Sequence, residues 1–342
     1  MFDTLLGQEH VKRILTEAVA AGRVSHAYVF CGPEGIGRKS FASELAESVM
    51  CLDPGKTGEA CGNCLSCRLF RAGTNPDFKL IVKEPGKASV GIDNIRAMEE
   101  DLATAPQYGR KKVFVIDSSE SLTEEAQNAM LKTIEEPPEY ALVILICSNL
   151  TLLIDTVLSR VTRLDFARNT NEEVIKAFSG KVPDGAAIVK NEGGLIAAYA
   201  DGIIGRGLMF SDFRLFGSLR EILADTVELV PEGGSALYIN LTTVFLKYPA
   251  QKEFMFFEFR ALLRDLEIHS RFGGEAEIQN RQFAGRIARL SSRLTHREWR
   301  EAGDIVDAAW QKTSVNMGYR MIIDTMAAEL TEITRNSVPV AY

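Results

Sequence analysis

The chain has 342 residues, 46% of them hydrophobic and 25% charged; that length allows two or three domains with buried cores, and that balance excludes a disordered or fibrous chain. Its formal net charge of −7 gives no global attraction to nucleic acid or an anionic membrane, so any DNA contact has to be local. The start, Met1-Phe2-Asp3-Thr4-Leu5-Leu6, has no basic region ahead of an apolar run, and no stretch reaches about 18 uninterrupted apolar residues. The expectation is a cytoplasmic protein, in which clustered cysteines point to metal before disulfide.

Within residues 7–21, Val11, Ile14, Leu15, Ala18 and Val19 recur at helical spacing, with Gly22 as a stop. Ala27-Tyr28-Val29-Phe30 has the length of a buried strand and feeds Gly32-Pro33-Glu34-Gly35-Ile36-Gly37-Arg38-Lys39-Ser40, after which Phe41, Leu45, Ala46 and Val49 restore the helical period. Strand, glycine turn and helix in that order are the context of a phosphate-binding P-loop. Its glycines let backbone N–H groups wrap a polyphosphate, a Lys after the last Gly reaches the β/γ-phosphates, and the next hydroxyl ligates Mg²⁺. Gly32 and Gly37 keep that spacing, with Gly35 between them. The Lys place, however, holds Arg38, a planar fork in place of a compact ammonium. The hydroxyl place holds Lys39, which cannot ligate a cation, and Ser40 comes one residue late. The outline predicts nucleotide-binding ancestry, and the details predict impaired or absent hydrolysis; a glycine-rich turn in an ordinary α/β protein is the alternative.

Cys51, Cys61, Cys64 and Cys67 follow, with Pro54, Gly55, Gly58 and Gly62 between them. Two-residue spacers let neighbouring thiolates point at one ion, and four thiolates match a closed, tetrahedral structural zinc site. An iron–sulfur cluster and unrelated free thiols are the alternatives. Cys31 and Cys147 fall in predicted strands and read as small core residues.

Residues 77–82 read as a strand and residues 92–103 as a helix with Ile92, Ile95, Met98 and Leu102 on one face. Arg110-Lys111-Lys112 leads into Val113-Phe114-Val115-Ile116-Asp117, a buried strand ending in a carboxylate. This is the Walker B form, whose Asp holds Mg²⁺ and whose following Glu orients the attacking water. Ser118 and Ser119 fill those next places and Glu120 comes too late, so the hydrolytic base is missing. Residues 124–136 form a helix stopped by Pro137-Pro138. The strand Leu142-Val143-Ile144-Leu145-Ile146 ends at Cys147-Ser148-Asn149, where a polar side chain either faces a ligand or caps the strand. Val157-Leu158-Ser159-Arg160-Val161 reads as a short exposed helix end.

Several segments occur in the order found in bacterial clamp-loader AAA+ subunits: Gly7-Gln8-Glu9, Ser25-His26-Ala27-Tyr28, the glycine loop, the four-cysteine insert after its helix, Lys112 to Asp117, Asn128-Ala129-Met130-Leu131-Lys132-Thr133-Ile134-Glu135-Glu136-Pro137-Pro138 and Ser159-Arg160. Over roughly the first 210 residues the chain resembles that family, and within it the delta-prime kind of DNA polymerase III subunit. The resemblance implies an α/β AAA+ P-loop domain with a parallel sheet over residues 1–162, carrying the zinc module 51–67. It further implies a small helical lid domain over 163–208, an all-α C-terminal collar domain over 209–335 and a tail at 336–342. Arg160 matches the family's arginine finger, which neutralises charge on the phosphoryl group in a neighbouring ATPase subunit. Val161 stands in place of the usual Cys and Asp155 where Pro is common; the alternative is a surface arginine in a salt bridge.

The related gamma/tau subunits hydrolyse ATP with an intact Lys-Thr/Ser pair and Asp-Glu. This chain departs from them at Arg38, Lys39 and Ser118, which implies a non-hydrolysing subunit. Gly32, Gly35, Gly37, Arg38, Lys39, Ser40 and Asp117 then form a degenerate nucleotide site for ATP and Mg²⁺. The implied partners are gamma/tau and delta subunits in a hetero-oligomeric ring, with the sliding clamp and primer-template DNA reached through the complex. Two other readings stand beside this one: a gamma-like ATPase using Arg38 or a shifted Lys39–Ser40 pair, and a free-standing DNA-binding AAA+ or zinc protein.

Gly202-Ile203-Ile204-Gly205-Arg206-Gly207-Leu208 resembles the family's sensor 2 segment, whose arginine would fall at Gly205; Arg206 points about 100° away around a helix. Beyond residue 210 the pattern is helical. Phe254, Phe256, Phe257, Phe259, Leu262, Leu263 and Leu266 form an apolar stretch, and Val306, Ala309, Trp310, Tyr319, Ile322, Ile323, Met326 and Leu330 predict one long helix over residues 305–330. Gly233-Gly234 and Gly273-Gly274 predict turns. Arg286, Arg289, Arg293, Arg297 and Arg300 predict a single basic helix stripe, either a solvated or salt-bridged face or a DNA contact. Residues 336–342 read as a frayed tail.

Overall fold

The computed structural model describes residues 1–83, 89–313 and 317–333, so the expected tail at 336–342 lies outside the described residues. The chain divides into two units, one of residues 1–183 with 200–208 and one of residues 184–199 with 209–342.

The first unit begins with α1 (Glu9–Ala20), β1 (Ala27–Cys31), α2 (Arg38–Met50) and α3 (Leu65–Arg71). It continues through β2 (Phe78–Ile81), α4 (Ile92–Leu102), β3 (Lys112–Ile116), α5 (Glu124–Glu135), β4 (Ala141–Cys147), α6 (Asp155–Leu158), β5 (Thr162–Asp165) and α7 (Asn171–Lys181). The strands form one five-stranded, all-parallel sheet in the order β2-β3-β4-β1-β5. Strands covered by helices on both faces have no wet side, which is why β1, β3 and β4 read as continuous apolar runs. Side-chain alternation then sorts the runs into two cores. Tyr28, Phe30, Leu142, Ile144 and Ile146 pack with Leu15, Phe41 and Leu45 of α1 and α2, while Ala27, Val29, Val143, Leu145 and Cys147 pack with Ile95, Met98, Ala126 and Met130 of α4 and α5.

The edge strand β5 has no counterpart among the predicted strands, because only Leu164 of Thr162-Arg163-Leu164-Asp165 is buried. A short edge strand with charged outward residues carries no apolar run to detect. At the other side of the sheet, Lys112 is buried and its Nζ reaches Asp101 Oδ1 at 2.9 Å and Thr104 Oγ1 at 3.0 Å. The buried Asp77 carboxylate accepts the N–H groups of Gln107, Tyr108 and Gly109 at 2.6–2.7 Å. These two anchors fix the turn that delivers β3.

The second unit is helical. Its elements are α8 (Gly185–Ala200, whose last residue and the following α9, Ile204–Leu208, group with the first unit), then α10 (Phe213–Glu228), α11 (Gly234–Lys247), α12 (Lys252–Phe272), α13 (Ala284–Leu290), α14 (His296–Lys312) and α15 (Tyr319–Glu332). α12 packs on α14 and α10, and α11 packs on α15. Gly233 and Gly273 have φ near +60° and close the turns before α11 and after α12, as predicted. Arg220, which is buried, binds Glu258 at 2.9 Å, Glu192 at 2.8 Å and Asn280 at 2.9 Å. Burial pushes the Glu258 carboxyl up, and Arg220 opposes the shift.

Two sequence expectations are corrected here. The helix predicted over 305–330 is two helices, because α14 ends at Lys312 and α15 starts only after Gly318, which caps it. The arginine stripe is not on one helix either. Arg286 and Arg289 lie on α13, Arg293 in a 3₁₀ turn, and Arg297 and Arg300 on α14. Arg286 is engaged by Glu221, Asp225 and Glu228 of α10, and Arg300 by Glu267 at 2.7 Å.

Candidate functional site

The glycine loop runs from the end of β1 into α2. Gly35 and Gly37 have φ of 80° and 113°, a region that side chains with a Cβ rarely enter, which is why glycine is needed there. The sheet order places β4 between β1 and β3, so the loop faces the end of β3 across the carboxyl end of β4, the place where open α/β sheets bind ligands. There Lys39 Nζ lies 2.7 Å from Asp117 Oδ2. The lysine in the hydroxyl position and the carboxylate that follows β3 are therefore joined directly. Ser40 turns elsewhere and borders a cleft of about 460 Å³ with Met1, Ser43, Glu44, Glu47 and Arg71. With the Asp117 carboxylate already paired to Lys39, the described residues do not fit Mg²⁺ as they stand.

Arg38 is 8% exposed, and its Nη1 nitrogen is buried without a hydrogen-bond partner among the described residues. Cys31 and Cys147 are register partners at the ends of β1 and β4. Burial, reinforced by Cys31, pushes the Cys147 thiol up to about 12, so it stays protonated and behaves as a core residue.

Ser118, in the place of the water-activating acid, has φ 52°, a left-handed conformation for a residue with a Cβ. Glu120 is turned away and accepts the Ser148 N–H at 3.1 Å as well as the Ser148 hydroxyl. Asn149 caps the following turn by accepting from Thr151 N at 3.0 Å and Thr151 Oγ1 at 2.8 Å. Above the loop, Gly205 N donates to Gly35 O at 2.9 Å. The two backbones approach so closely that a Cβ on Gly205 would lie 2.8 Å from Gly35 O.

The four cysteines come together as the spacing predicts, with their sulfurs all within 4.8 Å of one another. Backbone N–H groups point at them: Cys61 N at Cys51 Sγ (3.3 Å), Cys64 N at Cys61 Sγ (3.3 Å) and Cys67 N at Cys64 Sγ (3.4 Å). Burial raises the Cys64 thiol, but the N–H of Cys67 and the other donors around it outweigh burial and bring it down to about 6. Burial raises Cys51 and Cys67. An all-sulfur set ringed by N–H donors fits a structural zinc ion, which would tie residues 51–67 to α2 and supply folding energy there.

Arg160 follows α6. Its Nε lies 2.7 Å from Glu135 Oε1 at the end of α5, and its Nη1 donates to Thr156 O at 2.9 Å and Ser159 Oγ at 3.0 Å. The sequence reading missed Glu135. It also took Lys39 only as a defect, although a cation facing an anionic strand end was a readable charge match.

A parallel sheet in this strand order, with a glycine loop after β1 and an acid after β3, defines a P-loop domain of the AAA+ type. Residues 7–170 match the family model described as "DNA polymerase III, delta subunit". The chain is 32% identical to the DNA polymerase III subunit tau of Bacillus subtilis over 241 residues, 70% of this chain and 42% of the relative. It is 33% identical to subunit delta' of the same organism over 159 residues, 46% of this chain and 47% of the relative. It is 35% identical to the Escherichia coli subunit tau over 159 residues, 46% of this chain and 24% of that relative. The matched part thus spans less than half the length of these relatives. A gamma subunit-related protein of Thermotoga maritima aligns over 96% of this chain and 99% of its own, at 19% identity and a TM-score of 0.49. Over its N-terminal part the chain is therefore similar to the DNA polymerase III delta-subunit family model and to tau, gamma/tau and delta' subunits.

Proposed function

We propose that this chain is a non-hydrolysing subunit of the DNA polymerase III clamp loader, of the delta' kind. In this reading it acts in the cytoplasm within a hetero-oligomeric ring with gamma/tau and delta subunits, and helps load the sliding clamp onto primer-template DNA. The observation that carries the reading is the Lys39–Asp117 pair at 2.7 Å. A hydrolysing P-loop needs that carboxylate for Mg²⁺, and here it is taken by a side chain of the first turn of α2. Ser118 in place of the water-orienting acid and the Glu120–Ser148 bonds support the same conclusion from the other side of the site. Arg160, exposed at the end of α6, serves as the arginine finger for a neighbouring ATPase subunit.

The test has two arms. The purified chain is expected to release no phosphate from ATP above a protein-free blank; steady release that vanishes in Asp117→Asn favours a gamma-like ATPase. In the reconstituted complex, Arg160→Ala is expected to slow turnover at the site that receives it by on the order of a thousandfold. Unchanged turnover would end the finger assignment.

A further inference from the structure

We infer that Glu135 is the positioning residue of Arg160: its carboxylate holds the guanidinium in one orientation for a neighbouring subunit's phosphate. The inference rests on the finger reading above and deepens it.

Glu135 is the last residue of α5, and it is followed by Glu136, Pro137 and Pro138. A helix C-terminus carries partial negative charge, so a carboxylate there is unfavourable for the helix itself. Helix stability therefore gives no reason for an acid at this position; the nearby guanidinium does. Glu135 Oε1 meets Arg160 on its Nε side, 2.7 Å away. Thr156 O and Ser159 Oγ take up Nη1. The hydrogen bonds that Arg160 donates among the described residues are both from Nη1. An arginine held by two hydrogen bonds at Nη1 and by an ion pair beside Nε has its freedom to swing reduced.

The pair is partly exposed, Arg160 at 38% and Glu135 at 47%. At that exposure water screens the attraction, so the carboxylate orients the arginine without cancelling its charge toward a phosphate. A long side chain left unheld would have to be ordered anew at each encounter, and prior ordering shows in the rate more than in nucleotide affinity.

The experiment uses the reconstituted complex with ATP as the probe and measures kcat, KM for ATP and assembly for each variant. Glu135→Ala and Glu135→Gln are both expected to lower kcat by about fivefold with KM and assembly unchanged, the size that a screened ion pair can contribute. Glu135→Asp, which keeps the charge, is expected to restore most of the rate. In an Arg160→Ala background, Glu135→Ala is expected to have no further effect. A rise in kcat for Glu135→Ala would overturn the inference by showing that Glu135 masks the arginine. A loss confined to KM or assembly, or wild-type kcat in Glu135→Ala, would overturn it by leaving only a structural role or none. Failure of the finger reading looks different, because then Arg160→Ala itself leaves turnover intact.

Discussion

Lys39 with Asp117 and Arg160 with Glu135 are ion pairs of the same 2.7 Å length, built from the same two kinds of group, on one α/β unit. In the first, the acid is the more buried partner, 16% exposed against 60% for the lysine, so the cation closes over a carboxylate at the strand ends. In the second, both partners are open to solvent and the cation is steadied by a carboxylate beside it. The same contact therefore has opposite consequences according to which partner the fold buries. Under the proposed reading, one pair closes a nucleotide site and the other prepares a side chain for a site on another subunit.

Removing the metal should sharpen this comparison most. If zinc ties residues 51–67 to the end of α2, the protein carries equimolar zinc. Chelation or Cys64→Ser then unravels that module, with an effect on the order of 10 kcal/mol of metal-linked folding energy. Protease nicking within residues 51–67 checks this. A zinc-free protein with an intact module would end the assignment of Cys51, Cys61, Cys64 and Cys67.

Next in size is the tether at the start of β3, the strand that delivers Asp117. Asp101→Ala strips the buried Lys112 of its carboxylate and is expected to cost about 3 kcal/mol in chemical denaturation, with the effect confined to the α/β unit. Burial alone would raise the Asp101 carboxyl, but Lys112 and Lys79 outweigh it and hold it below the ordinary value. Because the folded value is the lower one, this contribution is fully present above about pH 4 and fades as pH falls through the folded value. The stability gap between the wild type and Asp101→Asn is therefore expected to close in acid; a gap that widens there would contradict the assignment.

Smallest in stability is Lys39→Thr, under about 1 kcal/mol because the pair is screened. It frees Asp117 and restores a hydroxyl, so titration calorimetry is expected to detect Mg²⁺-dependent ATP binding without turnover. If none appears, the ion pair is not what keeps nucleotide out.

What could be read from the sequence follows from how locally each feature is encoded. The apolar runs of β1, β3 and β4 announce themselves because both sheet faces are covered, and the cysteine cluster does because its spacing is its chemistry. β5 hides because three of its four residues face outward. α3 hides because its seven residues are capped by Cys64, whose sulfur accepts the Cys67 N–H, and are not marked by an amphipathic pattern. The arginine spacing from Arg286 to Arg300 imitates one helix face, yet the chain turns at residues 291–293, and Glu221, Asp225 and Glu228 engage Arg286 from more than fifty residues upstream. Pairings such as Glu135–Arg160 depend on which loops meet in space, and no period along the chain records that.

The contact between Gly35 and Gly205 limits what position 205 can hold. A side chain at position 205 would begin with a Cβ 2.8 Å from Gly35 O and 2.9 Å from Gly35 Cα, where backbone cannot yield cheaply. Gly205 is also where the resemblance to clamp-loader ATPases places the sensor arginine. An arginine introduced there by one substitution would therefore first disturb the fold around the loop, and only a prior shift of the loop would make room for it. A single substitution at position 205 is thus penalised by the loop backbone before its side chain can reach any ligand.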